Sequence, residues 1–543
     1  MHVSSQPGRT IHFGPDFERH YNWRMKWIRK GLIWVHRYLG MALSLLFVVW
    51  FVSGIGMLFA GGMPRLNPQE KLYREQEIDL SRVKLTPLQL PHDSYARDGS
   101  AGRVSLRMLL DRPVYRIDGQ TIFADDGSVL DGVDKTTAME IAGRFMGSPK
   151  VSAADMQYSL VTDPDQWTLT QRGLPFHKFS FDDGTQLYIS TETGEVVQKT
   201  TRGTRALAWA ATIPHWFYFT SLRNNQPLWY QVVCWTAGIG CVLALAGIAL
   251  SFIQLKIRRP FSLRNIASYI PYAGWMRWHY IAGALFGVLT FTWVFSGLLS
   301  MEPFGWAAGP TLQGDLESTL TGGPLNVAEF PAIDAEAWKK LLPDRYVKEI
   351  DYARIQGDPY FVVRTEPAMQ LVAVAEDLRD RPHQPYYSQS GIDPDRVLIN
   401  AKTMLIRTDP FSVGSLMSRV TETWPDVPVT EFTLLNVYDS YYYSRDGQRP
   451  LPVLRVKFDD PVKTWIYIDQ TMSKPVAAIH RLDRFERWIY NGFHSLDFSF
   501  WYYNAPVWYS VVILLSLGGT AVSVLGMYLG FTRMTRAAKR VAS

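Results

Sequence analysis

An α-helical membrane protein with four transmembrane helices, built as two tandem repeats of span, extramembrane α+β domain and span, is the fold class this sequence predicts. Three observations carry it: four long apolar runs, Lys and Arg gathered in the short segments flanking them, and two ungapped self-matches along the chain.

Crossing a bilayer takes about 20 mostly apolar residues. Four runs reach that length, at 33–59, 228–253, 279–301 and 507–531. They separate a leading segment 1–32, a domain 60–227, a loop 254–278, a second domain 302–506 and a tail 532–543. The first run is too long and too far into the chain for a cleaved leader, and no small-residue cleavage site follows it.

Segment 1–32 carries Arg9, Arg19, Arg24, Lys26, Arg29 and Lys30. The loop carries Lys256, Arg258, Arg259, Arg264 and Arg277, the tail Arg533, Arg536, Lys539 and Arg540, and neither contains an acid. Short basic flanks stay in the cytoplasm, which places both termini and the loop there and the two domains across the membrane. Setting those residues and Arg37 aside leaves 40 of the 56 basic residues against 48 of the 50 acids. The far side is therefore net acidic although the whole chain is +6, and the basic balance reads as topology with no nucleic-acid partner. The 19 Trp and 27 Tyr suit membrane–water interfaces. Both cysteines, Cys234 and Cys241, lie in the second span, so the domains hold no disulfide.

Internal repetition organises the rest. A shift of 243 lays the first span on the third: His36 meets His279, Gly40 meets Gly283, Trp50 meets Trp293, and Ser53-Gly54 meets Ser296-Gly297. A shift of 279 lays the approach to the second span on that to the fourth: His215 meets His494, Pro227 meets Pro506, and Trp229-Tyr230 meets Trp508-Tyr509. In the domains, alternating stretches at 186–190 and 464–469 each follow a Phe-Asp-Asp and read as antiparallel hairpin strands. Pro113–Ile117 resembles Pro359–Val363, and helical patterns fall near 136–146 and 412–421. Each domain is expected to hold two small lobes of sheet plus helix.

Four histidines take special places. His36 sits about one turn into the first span and His279 opens the third, level with each other near the cytoplasmic face. His215 and His494 each stand 12 residues before a span-opening proline, level near the far face. Ionisable residues at membrane depth are costly and mark function. A single interfacial histidine is most often a hydrogen-bonded anchor; two matched pairs call for more. Paired imidazoles bind haem iron, bind a transition metal or relay protons. The spans offer no further Cys, His or carboxylate set for zinc or copper and no Asp or Glu for a relay, so haem ligation is favoured. Gly40 and Gly283, one turn beyond their histidines on the same face, leave room for a flat macrocycle.

Trp50 and Trp293 follow their histidines by 14 residues, about 21 Å along the helix. That brings them near the far pair, as core packing or as an aromatic bridge between levels. Arg37, Arg29 and Arg277 are candidates to pair with haem propionates, though topology alone accounts for them. His2, His12, His20, His92, His177, His383 and His480 have no match under either shift and read as surface residues; His177 and His383 are also candidates to meet a ligand beyond the membrane. The Tyr386-Tyr387 and Tyr441–Tyr443 stretches are candidate substrate contacts, with plain packing the alternative.

Val35-His36-Arg37-Tyr38-Leu39-Gly40 with the apolar run to Ser53-Gly54, and Gly492-Phe493-His494-Ser495-Leu496-Asp497-Phe498 before the last span, resemble the bacterial PepSY-associated transmembrane proteins. Asp183-Gly184 through Thr193-Gly194-Glu195-Val196 resembles the end of a PepSY domain. The resemblance runs from about residue 25 to 531. It implies PepSY-like periplasmic domains, an inner-membrane location and, as in the family's ferrisiderophore reductases, two b-type haems passing electrons to ferric chelates. The ligand role falls on His36, His279, His215 and His494; the Pro-His-Trp setting of His215 departs from that of His494.

The leading expectation is thus a haem-dependent ferric-chelate oxidoreductase. Its partners are a ferric siderophore or other chelate in the periplasm, membrane lipid, and a separate cytoplasmic or membrane-dissolved quinol-type donor, because no inner segment is long enough for a flavin or nicotinamide domain and none contains G-x-G-x-x-G. The rivals are a non-enzymatic membrane-anchored binding protein and a haem or metal transporter.

Overall fold

The computed structural model describes residues 15–90, 100–147, 156–168, 173–255, 269–305, 312, 314–366, 396–444, 449–498, 500 and 504–542. His2, Arg9, His12, His92, His383, Tyr386, Tyr387, Lys256, Arg258, Arg259 and Arg264 lie outside the described residues, as do the side chains of Arg19, His20 and Arg24.

The helices are α1 Pro15–Ala60, α2 Pro68–Arg74, α3 Lys135–Phe145, α4 Arg202–Ala210, α5 Thr212–Trp216, α6 Thr220–Arg223, α7 Gln226–Ile253, α8 Gly274–Leu299, α9 Leu316–Thr321, α10 Ala335–Leu341, α11 Val413–Thr423, α12 Arg481–Arg487 and α13 Ala505–Ala542. Lys26–Ala60 of α1, all of α7 and α8, and Ala505–Arg540 of α13 are long and apolar enough to cross a membrane. Large apolar side chains stand exposed along them, Trp235, Phe252, Leu285 and Leu514 among them, as lipid-facing surfaces require. The chain is a multi-pass membrane protein.

Local chemistry sets the ends. Asn225 caps α7 by accepting from Leu228 N, with Pro227 in the first turn, where a missing N–H costs nothing. α1 stops at Gly61 and Gly62, whose φ of +60° and +98° suit glycine. α8 begins at Gly274, five residues before His279. His279 therefore stands in the second turn instead of opening the span, because the helix runs on through the polar-edged segment the hydropathy boundary excluded.

α1 packs against α7 and α13, and α8 packs against the same two helices. The spans form a ring in which α1 and α8 are diagonal, a geometry that directs their inward side chains at each other.

The strands are β1 Ser100–Ala101, β2 Val104–Leu109, β3 Arg112–Ile117, β4 Gln120–Phe123, β5 Met156–Val161, β6 Phe176–Phe181, β7 Gln186–Ser190, β8 Val196–Thr200, β9 Leu325–Asn326, β10 Val347–Ile355, β11 Asp358–Thr365, β12 Arg396–Asn400, β13 Leu405–Arg407, β14 Val429–Leu435, β15 Val453–Phe458, β16 Trp465–Asp469 and β17 Lys474–Ile479. β5–β8 and β14–β17 are four-stranded antiparallel meanders. α3 covers the first, its Ile141, Ala142 and Phe145 meeting Phe179, Leu187 and Ile189. α11 covers the second, with Leu416 and Val420 on Leu454, Val456 and Ile468.

The remaining sheet differs from two self-contained lobe pairs. Its order is β13-β12-β11-β10-β2-β3-β4, so strands before α7 and after α8 share one sheet. The join is β10 with β2, Ile350 opposite Leu106 and Tyr352 opposite Val104. Each strand would otherwise present an open edge of unpaired backbone groups. Fully buried Tyr115, Ile117, Ile122, Trp338 and Phe361 form the core beneath it.

Side-chain bonds tie the sheets to the spans. Gln198 on β8 accepts from Leu66 N at 2.9 Å and donates to Pro64 O at 2.7 Å, and Thr212 Oγ1 donates to Gly62 O at 2.9 Å. The exit of α1 is thereby fixed to the segment that carries His215. Trp508 Nε1 donates to Ser495 O at 3.0 Å, and Arg487 donates to Ser440 O at 2.6 Å and Asp497 O at 2.8 Å, which does the same for His494.

Candidate cofactor site

The four sequence-predicted histidines meet in two pairs. The rings of His36 on α1 and His279 on α8 have centroids 6.2 Å apart, with planes inclined by 38°. Those of His215 on α5 and His494 are 6.3 Å apart, inclined by 72°. His36 lies 17 residues before Ser53, which touches His215, so the two levels are separated by about 25 Å of α1.

Each histidine is held from behind by a neighbouring element. His36 Nδ1 is 3.2 Å from Leu243 O on α7, and His279 Nδ1 is 3.2 Å from Val522 O on α13. A carbonyl can only accept, so both Nδ1 atoms carry the proton. At the second level His494 Nδ1 lies 3.0 Å from Trp293 O and 3.1 Å from Ser296 Oγ. His215 Nδ1 lies 3.1 Å from Ser53 Oγ, and that hydroxyl donates to Trp50 O at 3.2 Å. With its proton committed, Ser53 accepts from His215. All four imidazoles thus share one tautomer, and no Nε2 has a hydrogen-bond partner among the described residues. That is the arrangement in which a neutral imidazole offers its lone pair to a metal while an outer partner fixes the ring.

Glycines admit the rings. A Cβ on Gly247 would stand 2.8 Å from His36 Cε1, and one on Gly526 3.2 Å from His279 Cε1. Gly54 and Gly297 lie against His215 and His494, each 3.5 Å from Cε1 by the same construction. The second-level histidines sit on short irregular elements. α5 ends at Phe217 with φ +54°, and the π-helical turn Trp488–His494 is followed by Leu496 with φ +52°. Each strained residue comes two positions after its histidine. Tyr490 stacks on His494 at 5.1 Å.

Gly40 and Gly283 touch neither histidine. A Cβ on Gly40 would meet only Leu243 Cδ1, at 3.8 Å, and one on Gly283 would meet nothing within 4 Å. Trp50 and Trp293 stand at the second level: the Trp50 ring is 5.8 Å from Phe217 and that of Trp293 5.8 Å from Phe51. Both indole Nε1 atoms are buried with no acceptor among the described residues. Buried donors of this kind are uncommon and call for explanation. Arg37 is half-buried beside His36.

Two other histidines depart from expectation. His177 is 5% exposed, its Nε2 2.7 Å from Val133 O and its Nδ1 3.1 Å from Tyr158 Oη. His480 is 8% exposed and caps α12 through Leu482 N at 3.2 Å. Both are internal hydrogen-bonding residues, not surface ones. Of the tyrosine stretches, Tyr441 accepts from Trp488 Nε1 at 3.1 Å, Tyr442 is fully buried and Tyr443 donates to Asp497 at 2.8 Å; these bonds brace the turn that carries His494.

A metal bound in line by two imidazoles at about 2.0 Å each sets ring centres about 6 Å apart. Both pairs meet that requirement. Among the described residues no three His, Cys, Asp or Glu side chains converge as a metal site, so each level offers two imidazoles and apolar surroundings. The residues present fit a flat, doubly ligated macrocycle.

Sequence reasoning missed Gly247 and Gly526, and it gave Ser53 and Ser296 no role. The shift of 279 that relates His215 to His494 also carries Gly247 onto Gly526, which was the available signal. No curated protein matches the chain. A family model described as the PepSY-associated TM region matches residues 33–533, and the chain belongs to that family.

Proposed function

We propose that this protein is a di-haem transmembrane electron carrier of the bacterial inner membrane, reducing a ferric siderophore or similar ferric chelate in the periplasm. The observation that supports it most is the matched presentation of four imidazoles, in pairs 6.2 and 6.3 Å apart with every Nδ1 occupied.

His36 and His279 would hold the haem near the cytoplasmic face, His215 and His494 the one near the periplasm. Haem supplies one-electron redox chemistry when bound, at a potential set by its axial ligands and burial. The chain's own residues do the rest. Leu243 O, Val522 O, Ser53 and Ser296 orient the imidazoles and hold the proton of each on Nδ1. Gly40 and Gly283 leave the helix surface open beside the first pair, and Arg37 offers a cation for propionates there. Phe47, Phe51 and Val294 pack the bundle between the levels, with Trp50 and Trp293 at its second-level end, and would keep water from joining them. The two orphan indole N–H groups lie at the level nearer the periplasm in this reading.

Duplication of the chain gives the geometry a reason. The shifts of 243 and 279 carry Ser53, Gly54, His215 and Phe217 onto Ser296, Gly297, His494 and Leu496, and carry His36, Leu243 and Gly247 onto His279, Val522 and Gly526. Both termini are assigned to the cytoplasm from the basic flanks. A cytoplasmic or quinol-type donor would supply the electrons.

A visible spectrum of purified protein with and without dithionite tests the reading. Reduced b-type bands, at two haems per chain, are expected. A colourless protein would overturn it in favour of a membrane-anchored binding protein.

A further inference from the structure

A second site lies away from the histidines, where the shared sheet meets the β5–β8 meander. A cavity of about 400 Å³ is lined by Leu66, Pro68, Lys71, Leu72 and Glu75 from and around α2, Glu195, Val196 and Val197 at the start of β8, Arg107 on β2, Glu349 on β10 and Arg364 on β11. A narrower space of about 80 Å³ continues from it past Arg116 and Arg144. The volume falls within the range of small-molecule sites.

Sheet register builds its floor. Glu349 pairs with Arg364, and continuing the β2–β10 register sets Arg107 opposite Glu349. One carboxylate therefore stands between two guanidinium groups across the sheet. Arg107 bonds Glu349, and its Nη1 donates to Glu75 at 2.9 Å. Lys71 bonds Glu195, which also meets Arg116 Nη1 at 2.5 Å.

The demand left over is mostly of one sign. Glu75, Glu195 and Glu349 all accept from cations, whereas Arg107, Arg116 and Arg364 each keep a buried Nε–H with no acceptor among the described residues, against one such acceptor nearby, Oδ1 of Asp351. Buried donors without acceptors are unfavourable, so what the cavity chiefly lacks is anionic oxygen. Leu66, Pro68, Leu72, Val196 and Val197 make the rest of the wall apolar, which suits a carbon skeleton and not a bare inorganic ion.

We propose that this cavity binds a small organic carboxylate, its oxygens received by Lys71, Arg107 and Arg364 and its skeleton laid against Leu72 and Val196. Strands from both halves of the chain form the site, so the ligand would brace one half on the other. This does not rest on haem.

Calorimetric titration of the full-length protein in detergent micelles tests it, with citrate as probe and inorganic phosphate in a second arm. Citrate is expected to bind saturably, phosphate at least about tenfold more weakly, and Lys71→Gln and Arg364→Gln each to weaken citrate by about tenfold or more, about 1.4 kcal/mol. Arg107 is left intact because it bridges two carboxylates. Each variant must keep its melting temperature within a few degrees and its visible spectrum unchanged, which separates this test from that of the histidines. Absence of saturable citrate binding, or citrate binding unchanged in both variants, would overturn the proposal. Phosphate binding as tight as citrate would overturn the organic assignment.

Discussion

Ser53 Oγ stands 3.1 Å from the Nδ1 of His215 while giving its own proton to the Trp50 carbonyl, one turn back on the same helix. That hydroxyl, with the Trp50 backbone that also reaches the ring, fixes the tautomer and the tilt of an imidazole borne on another element. Outer partners of this kind are worth about 10–100-fold in metal-site affinity. Ser53→Ala is expected to empty the second level selectively, with haem content falling toward one per chain while the first-level spectrum persists. Ser296→Ala should do less, because His494 keeps the Trp293 carbonyl at 3.0 Å. Haem quantitation on the two variants checks the order.

Ligand removal separates cofactor from scaffold. His36→Ala and His494→Ala are each expected to lose one haem, and a double variant both. His177→Ala is the control, because its two hydrogen bonds, to Val133 O before α3 and Tyr158 Oη on β5, involve no residue of the spans. It should keep full haem content and lose about 1–3 kcal/mol of stability, the cost of leaving a buried partner unsatisfied. Equal haem loss in all three would refute the assignment.

The spans and the histidine pairs were legible because each has a strong periodic or repeated signal. Apolar runs of the required length admit few other readings, and an ungapped match that lands histidine on histidine constrains depth as well as identity. The hairpin strands at 186–190 and 465–469 were legible from alternation. The shared sheet was not, because the pairing of Leu106 with Ile350 joins residues 244 apart through backbone groups that every sequence possesses. Gly247 escaped notice for a related reason: a glycine in an apolar helix reads as generic small-residue packing until the ring it admits is known. The charged cavity escaped altogether, because its residues come from α2, β2, β8, β10 and β11, and no local motif unites them.

The close approach at Gly247 gives a steric test. A Cβ there would sit 2.8 Å from His36 Cε1 and 3.1 Å from Nδ1, closer than carbon atoms tolerate, and the opposing backbone of α7 cannot retreat without unpacking. Gly247→Val should displace His36 and abolish first-level haem, with overpacking costing about 1–3 kcal/mol of stability. Gly238→Val on the same helix, where a Cβ meets nothing within 4 Å, should be silent. Comparable spectra for the two variants would show that His36 is not seated against α7.

Acid–base behaviour of the charged cavity supplies the last prediction. Burial, with repulsion from Arg107 and Arg116, pushes the Lys71 ammonium down to about 8 despite Glu75 and Glu349. Burial and the Glu349 carboxylate push Asp351 up to about 6. The groups around Lys71 are Glu75 after α2, Glu195 before β8, Arg107 on β2, Glu349 on β10 and Arg364 on β11, with Arg116 on β3 behind Glu195; Asp351, two residues along β10 from Glu349, stands outside the lining and acts through Glu349. Raising pH through 6 charges Asp351, and raising it through 8 discharges Lys71. Each change makes the surroundings more negative, so carboxylate affinity should be greatest below pH 6 and fall in two steps, the upper one approaching tenfold per pH unit where one proton is coupled. Unfolding does not mimic the upper step. A lysine whose folded pKa is depressed contributes stability that is present above the unfolded value and lost as pH falls through about 8, so the Lys71 contribution to stability rises over the window in which binding weakens. Citrate titrations at pH 5.5, 7 and 9 should show both steps in the parent protein, only the lower in Lys71→Gln and only the upper in Asp351→Asn. Affinity that is flat with pH in all three proteins would remove Lys71 from the site and show that Asp351 does not act on it.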